Sequence, residues 1–221
     1  MEHQRDIHDE SWRSRKPERD VVLKKPRVKY TLSLLEDLLN QNDVIFDLGC
    51  GDGTFGKALK KGHTITVDGC DISKIAVDRA REHYRTVHQL NIDDEDIPTE
   101  SGSYDTVICT DVLEHTLSPT HALEEIQRIL KDDGTAIITV PNFGFARYRV
   151  SSLFGNIPSI IRDDRHYNTF TVSSLREMFD ECGLEARMIS GISGVKRLAN
   201  MFPSVFAKTI VVIATNTSHE G

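Results

Sequence analysis

The sequence lacks any apolar run that approaches the ~20 residues of a membrane-spanning helix. Residues 1–19 are also too polar for a secretory signal peptide. Cysteine is scarce, and no pair of cysteines has the short C-x-x-C spacing of a zinc or redox site. The four are Cys50, Cys70, Cys109 and Cys182. These absences argue against a membrane-spanning protein and a dithiol enzyme, and we expect a cytoplasmic protein with four reduced thiols.

An excess of basic charge is lacking too. Asp and Glu number 34 against 27 Lys and Arg, which gives a formal net charge of −7. A protein with this balance is not expected to present an extended nucleic-acid surface. With 221 residues, of which 38% are apolar and 28% charged, the chain is typical of one globular domain. Nothing in the sequence indicates an oligomeric state.

Strand-like and helical patterns alternate along most of the chain. Strands are predicted at 44–48, 64–71, 87–92, 104–109, 135–140, 185–190 and 209–214. Helices are predicted at 30–39, 54–61, 75–83, 119–130 and 173–182. Ser174 and Glu177 form a possible capping box for the last helix. The alternation predicts a doubly wound, Rossmann-like α/β fold with a mostly parallel seven-stranded sheet and helices on both faces.

Three regions do not follow this alternation of strands and helices. Residues 1–29 are predicted to be a flexible tail or, alternatively, a lid carrying Trp12 over the site. Within the main domain, 30–216, the segment 143–170 is an aromatic and arginine-rich insertion that we expect to line an acceptor pocket. Its arginines either bind an anionic group of the acceptor or compensate the net negative charge of the rest of the protein. We expect 217–221 to be disordered. The four arginines are Arg147, Arg149, Arg162 and Arg165.

The strongest motif is the heptapeptide Asp47-Leu48-Gly49-Cys50-Gly51-Asp52-Gly53 at the end of the first strand. Glycines allow the backbone to turn sharply there and to approach a ligand closely. The same stretch opens Gly51-x-Gly53-x-x-Gly56, a weak dinucleotide-binding pattern. Asp47 distinguishes the two alternatives, because a carboxylate attracts the ammonium group of an amino-acid-like ligand and repels a pyrophosphate.

Acidic residues also end the second and third strands. Asp71 follows the first glycines by the ~20 residues that place an acid on a ribose. Ile72 offers an apolar surface to an adenine ring, and Asp93 an acceptor to its amino group. Asp68 competes with Asp71 for the ribose, but it lies in the middle of its strand. We place Thr110, at the end of the fourth strand, among the cofactor contacts.

Together these motifs resemble the class I S-adenosylmethionine-dependent methyltransferase family. The similarity covers roughly residues 40–190. It is carried by 47–53, 70–73, 104–108, Asp111-Val112-Leu113-Glu114-His115, Leu130-Lys131-Asp132-Asp133-Gly134-Thr135 and 170–184. The resemblance implies S-adenosylmethionine as cofactor and a C-terminal antiparallel strand. It also implies Asp47, Gly49 and Gly51 at the methionine part, Asp71 at the ribose, and Ile72 and Asp93 at the adenine.

Within that family the chain looks most similar to the small-molecule branch, which includes ubiquinone-biosynthesis O-methyltransferases and methionine-biosynthesis-W-like proteins. The Asn/Asp-Pro-Pro-Tyr signature of amino-methylating enzymes is absent after the fourth strand, where 109–112 read Cys-Thr-Asp-Val. We therefore expect transfer of a methyl group to a small-molecule acceptor, at oxygen.

A hydroxyl acceptor must lose a proton, and the candidate catalytic residues for this step are His115 and His166. The alternative is that His115 only braces its loop and that His166 is a surface residue. We expect no metal. An alternative expectation is a divalent cation held by Asp111, Glu114 and His115, because some similar O-methyltransferases use an acid-x-x-Glu-His cluster with a further histidine in this way.

Two rival functions remain open at this point. An NAD-dependent oxidoreductase would use Gly51-x-Gly53-x-x-Gly56, although no Tyr-x-x-x-Lys pair for hydride transfer is found. A non-catalytic protein would keep the fold and the cofactor to regulate a partner.

Overall fold

The computed structural model describes residues 2–14, 23–162, 165–193 and 196–217. The strands are β1 (Val44–Leu48), β2 (Thr66–Asp71), β3 (Val87–Gln89), β4 (Tyr104–Thr110), β5 (Leu130–Pro141), β6 (Leu184–Ile192) and β7 (Thr209–Asn216). The helices are α1 (Glu2–Ser14), α2 (Pro26–Leu38), α3 (Thr54–Leu59), α4 (Lys74–Ala80), α5 (Pro119–Ile129), α6 (Ala146–Leu153), α7 (Val172–Glu181), α8 (Lys196–Met201) and α9 (Pro203–Phe206). Short 3-10 turns span Leu113–His115 and Ser159–Arg162. Within the described ranges no helix combines the length and apolar character needed to cross a membrane.

All seven strands form one sheet in the order β3-β2-β1-β4-β5-β7-β6. The pairs β1–β2, β1–β4, β2–β3 and β4–β5 are parallel, whereas β7 runs antiparallel to both β5 and β6. The predicted fold is therefore confirmed, including the antiparallel C-terminal strand.

Side chains of alternate strand residues point to opposite faces of the sheet, and each face is covered by helices. On one face Phe46 and Leu48 pack with buried residues of α5 and α7. On the other face Ile45 packs with Leu35 of α2 and with residues of α3 and α4. The sheet is thus the middle layer of three, and its strand ends are the part left for a ligand.

The strand order reverses at β1. From there the chain builds β2 and β3 on one side, and β4 then pairs with the other side of β1. Connections leave in opposite directions at such a point, which opens a crevice at the carboxyl ends of the strands. Asp47, Asp71 and Thr110 all lie at that edge.

Several predicted elements differ from the structure in detail. Helix α2 begins at Pro26 rather than Tyr30, since proline is well tolerated in the first helical turn. The predicted capping box of Ser174 and Glu177 is wrong. Thr171 is the N-cap of α7, and its side chain and that of Ser174 bond each other's backbone N–H.

The N-terminal region differs more. Residues 2–14 form helix α1, whereas their composition favours a flexible tail. Tertiary contacts with the main domain, described below, stabilise this helix. Residues 15–22 of the expected tail and 218–221 of the expected disordered C-terminus lie outside the described residues.

Candidate active site

A cavity of about 950 Å³ opens at the carboxyl edge of β1, β2 and β4. Its volume is at the upper end of the range for small-molecule sites, roughly 300–1,000 Å³. The cavity wall contains all nine candidate site residues of the sequence analysis. They are Asp47, Gly49, Gly51, Asp71, Ile72, Asp93, Thr110, His115 and His166. The structure therefore brings them together, while the role of each stays a prediction.

The glycine loop after β1 has a backbone that other residues adopt with strain. Gly49, Gly51 and Gly53 have φ values of 74°, 54° and 76°. A methyl group on Gly49 would also lie 2.3 Å from Val112 Cγ2. The loop needs glycine at this position both for its turn and for the close approach of the β4 loop.

The last two glycines of the dinucleotide-like pattern have a packing role instead. A methyl group on Gly56 would lie 2.5 Å from the Tyr84 hydroxyl oxygen, and one on Gly53 would lie 2.9 Å from Ala80 Cα. Neither Gly53 nor Gly56 is among the described residues of the cavity wall. Their spacing therefore reflects contact with α4 and Tyr84 rather than a pyrophosphate site.

Asp47 is a buried carboxyl group on the cavity wall. The Tyr84 hydroxyl donates to Asp47 Oδ2 at 2.5 Å and accepts from the backbone N–H of Gly56 at 3.1 Å. Burial raises the pKa of Asp47 to about 7, with a further increase from the nearby Asp71 carboxylate, although the Tyr84 hydrogen bond opposes both effects. Near neutral pH, Asp47 is therefore poised between its neutral and charged forms.

Asp71, the last residue of β2, connects two loops through hydrogen bonds to their backbone N–H groups. Its Oδ2 accepts from the backbone N–H of Gly51 and its Oδ1 from that of Ser73, both at 2.9 Å. Asp68, the rival acid, instead binds Arg85 and Tyr104 and lies outside the described cavity wall.

Asp93 connects the loop after β3 to the start of α5. Its Oδ1 accepts from the backbone N–H groups of Leu117 (2.7 Å) and Ser118 (3.1 Å). Its Oδ2 accepts from the side-chain amide of Gln4 in α1 at 3.2 Å. The carboxylate thus holds several elements around one end of the cavity.

The two candidate histidines lie side by side although they are 51 positions apart. Their ring centroids are 4.8 Å apart. His115 follows β4 in a 3-10 turn, and His166 comes from the insertion. One potential ligand atom from each histidine and one from Glu114 lie within 4.8 Å of one another. His166, for which a surface position was the alternative, is half-buried and lies on the cavity wall.

Asp111 does not belong to that cluster. Its Oδ2 lies 2.8 Å from the guanidinium of Arg27, and its backbone is in the left-handed region, with φ 56°. Burial raises the pKa of Asp111, opposed by the positive charges of Arg27, His115 and Lys25. The alternative set of Asp111, Glu114 and His115 is therefore not the one that the fold brings together.

Helix α1 contributes residues to the cavity wall. The Gln4 side chain of α1 donates to Asp93, as described above. The Asp9 carboxylate of the same helix accepts a hydrogen bond from the Ser73 hydroxyl at 2.5 Å. Trp12 lies against Gly51, whose added methyl group would be 2.9 Å from the indole ring. The His8 and His115 ring centroids are 6.2 Å apart. One face of α1 therefore reaches both the glycine loop and the histidine pair.

The insertion contributes less of the wall than its length suggests. Among its described residues, Arg165 and His166 line the cavity. Helix α6, which carries Arg147 and Arg149, has no buried residue. Of the four arginines, Arg165 is thus the one that the described structure places at the site.

The sequence analysis did not predict the partners of two residues near the site, Tyr84 and Glu114. A buried tyrosine needs a hydrogen-bond partner for its hydroxyl, but the identity of that partner, Asp47, depends on packing between β1 and the loop before β3. Glu114 was considered only with Asp111. No local pattern pairs it with His166, which comes from a distant insertion.

Proteins with related sequences are known. A ubiquinone biosynthesis O-methyltransferase of Coxiella burnetii (strain RSA 493 / Nine Mile phase I) is 27% identical over 158 residues, covering 67% of this chain. The matched stretch spans 66% of that protein, just under two thirds of its length.

Solved structures show the same fold at lower identity. The methyltransferase-like partner in a complex with the Haloferax volcanii Trm112 methyltransferase activator superposes with a TM-score of 0.73 at 21% identity, covering 98% of this chain and 99% of that one. The magnesium protoporphyrin IX methyltransferase of Synechocystis PCC 6803, solved with bound S-adenosylhomocysteine, gives 0.63 at 19% identity, covering 86% and 82%.

The family model described as a methyltransferase domain matches residues 23–188, well over half of the 221. That match includes the glycine loop, both histidines and the acids Asp47, Asp71, Asp93, Asp111 and Glu114. Together with the order of the strands and the cavity at the switch point, it shows that the chain belongs to the class I S-adenosylmethionine-dependent methyltransferases.

Proposed function

We propose that this protein transfers the methyl group of S-adenosylmethionine to a hydroxyl oxygen of a small molecule. The observation that carries the proposal is the pair of imidazoles, His115 and His166, in the wall of the cavity that also contains the glycine loop and Asp71. A hydroxyl must lose its proton as it is methylated, and imidazole is the side chain most often used for proton transfer near neutral pH.

The residues of the cavity fit the cofactor at each of its parts. The glycine loop offers a surface without side chains, and the half-ionised Asp47 suits an ammonium group. Asp71 is held by two backbone donors, and we propose that the ribose hydroxyls donate to it as well. Ile72 and Asp93 would contact the adenine, and Thr110 would face the sulfur end.

When bound, the cofactor supplies a methyl group already activated on a positively charged sulfur. The protein therefore has two tasks, which are to align the acceptor oxygen with that methyl group and to help remove the hydroxyl proton. Alignment alone can contribute ~7–11 kcal/mol in well-oriented reactions. We assign the proton to the neighbourhood of His115 and His166.

The name of the Coxiella burnetii relative is the basis for the class of methyl acceptor that we propose. That protein is called a ubiquinone biosynthesis O-methyltransferase. An aromatic ring bearing a hydroxyl group, as in a ubiquinone precursor, is accordingly the acceptor that we propose for this chain. Arg165, on the cavity wall, would suit an anionic substituent on such a ring.

We also propose that α1 is a lid over the bound cofactor. Its contacts at Asp93, Ser73 and Gly51 coincide with the places assigned to the adenine, the ribose and the methionine part. A helix held by a few polar contacts and one indole ring can open at low cost, as a lid requires.

Binding of S-adenosylhomocysteine is predicted to release about half a proton at pH 7, because its ammonium group favours the carboxylate form of Asp47, whose pKa is about 7 in the free protein. Affinity should therefore rise about 10-fold from pH 6 to pH 8. Calorimetry in buffers of different ionisation enthalpy measures the released proton. Asp47→Asn should abolish both effects. Equal proton release by this variant would contradict the assignment.

Trp12 is the only tryptophan, so its fluorescence reports on α1 directly. S-adenosylhomocysteine should change the emission, and Trp12→Ala should weaken its binding about 3–10-fold through the lost aromatic contact. Trp12→Phe should retain most of the affinity. Unchanged emission together with an unchanged affinity of Trp12→Ala would show that α1 is not a lid.

Methyl transfer itself is tested with S-adenosylmethionine labelled in its methyl group and a panel of catechols and phenols, with anilines and thiols for comparison. Label should appear on oxygen. Replacement of His115 or His166 by Gln should slow transfer about 100- to 10,000-fold, the contribution of positioned proton transfer, with cofactor affinity nearly unchanged. His121→Gln, outside the described cavity wall, is the matched control.

Transfer to any acceptor would eliminate a purely regulatory role. Label found on nitrogen or sulfur alone would contradict the proposed acceptor atom. Full activity of both histidine variants would contradict their role in removing the proton.

A further inference from the structure

Tyr84 fills a space that glycines leave beside the cofactor site. It is 6% exposed and lies between α4 and β3. A methyl group on Gly53, Gly56 or Gly69 would lie 3.0, 2.5 or 3.2 Å from its side chain. Gly53 ends the glycine loop, Gly56 lies in α3 and Gly69 lies in β2. Parts of three elements therefore enclose the ring and fix the position of its hydroxyl group.

The hydrogen bonds of Tyr84 determine where its single hydroxyl hydrogen points. The backbone N–H of Gly56 can only donate, so the hydroxyl oxygen accepts from it at 3.1 Å. The hydroxyl hydrogen is then left for Asp47 Oδ2, at 2.5 Å. A hydrogen bond donated to a carboxylate is stronger than one to a neutral acid and favours the charged form. Tyr84 thus acts on both the orientation and the charge of Asp47.

The other titratable groups around Asp47 do not favour its charge. Burial is the largest effect and raises the pKa of Asp47 to about 7, and the Asp71 carboxylate adds to the increase. Burial also raises the pKa of Tyr84 and of three neighbouring thiols, so all four groups are neutral near pH 7. The thiols belong to Cys50 in the glycine loop, Cys70 in β2 and Cys109 in β4. Among the described residues that act on Asp47, Tyr84 is the one that favours the carboxylate.

We propose that Tyr84 is a positioning residue that holds Asp47 as a carboxylate for the ammonium group of the cofactor and thereby sets the lower end of the pH range in which the cofactor binds. Because Tyr84 occupies Oδ2, Oδ1 is left for the ammonium group. Tyr84 itself is outside the described cavity wall.

The inference rests on the proposed function, in which Asp47 binds the methionine part of the cofactor. Without the Tyr84 hydroxyl group, Asp47 would hold its proton more tightly. That proton must leave before the ammonium group can pair with a carboxylate, so cofactor affinity would fall at neutral pH and recover at higher pH.

The test is calorimetric titration of Tyr84→Phe with S-adenosylhomocysteine at pH 7 and pH 8.5. Loss of a hydrogen bond to a charged group should move the midpoint of the pH profile up by about 1 to 2 pH units. Relative to the unchanged protein, affinity should fall about 5- to 50-fold at pH 7 and at most about 4-fold at pH 8.5. The amino group of the ligand titrates equally in both experiments and cancels in these ratios.

Tyr104→Phe is the matched control, because Tyr104 is also a buried tyrosine that donates to a carboxylate. Its partner is Asp68, at 3.2 Å, and both residues lie outside the described cavity wall. Tyr104→Phe should bind S-adenosylhomocysteine as the unchanged protein does at both pH values. In an Asp47→Asn background, Tyr84→Phe should have an effect that no longer depends on pH, since an amide does not ionise.

Gly56→Ala tests the same hydrogen bond if Tyr84→Phe does not fold. The added methyl group would displace the Tyr84 hydroxyl oxygen, 2.5 Å away, and should also weaken binding more at pH 7 than at pH 8.5.

An equal loss at both pH values would overturn the inference, because a residue that only supports the fold would have that effect. Unchanged affinity of Tyr84→Phe at pH 7 would overturn it too. In either case the proposed function stands as long as the unchanged protein binds S-adenosylhomocysteine. If the unchanged protein does not bind this compound, the proposed function fails.

Discussion

The site depends on the parallel pairing of β1 with β2 on one side and with β4 on the other. This pairing sets the carboxyl ends of three strands side by side at the point where the strand order reverses. Each strand end then carries one part of the site. The glycine loop follows β1, Asp71 ends β2, and the turn with His115 follows β4. A shift of register in either pair would separate these parts.

The glycine loop and the acids form one coupled system. Asp71 accepts from the backbone of Gly51, so the ribose acid also holds the loop that approaches the methionine part. Tyr84 links Asp47 to the backbone of Gly56, and the small size of Gly53 and Gly56 leaves room for its ring. The charge of Asp47 thus depends on Tyr84, which lies 37 positions further along the sequence.

Much of this arrangement is encoded locally and could be predicted. Strand β1 was predicted at its observed bounds, because a short apolar run before glycines is unambiguous. Gly49, Gly51, Asp71 and Asp93 were placed at the cavity for the same reason, since each lies at or shortly after the end of a strand and therefore near the same edge of the sheet. The predicted family and cofactor follow from the order of these motifs.

Features that depend on distant contacts could not be predicted from local pattern. Helix α1 is polar and resembles a tail in composition, and it is stabilised by contacts of Gln4, Asp9 and Trp12 with the main domain. The motif 111–115 suggested Asp111 as a partner of His115, whereas the fold joins Asp111 to Arg27 and supplies His166 from 51 residues away. The sequence analysis placed the capping box at Ser174 and Glu177, whereas the backbone geometry makes Thr171 the N-cap of α7.

The central claim is that the cavity at the β1–β4 switch point binds the cofactor through Asp71. Calorimetric titration with S-adenosylhomocysteine tests it most directly, with Asp71→Ala beside the exposed-acid control Asp78→Ala. The account predicts binding by the unchanged protein and by Asp78→Ala, and a loss of about 10- to 100-fold in Asp71→Ala, the cost of removing hydrogen bonds to a charged group. Equal affinity of all three proteins, or binding of NADH in place of S-adenosylhomocysteine, would contradict it.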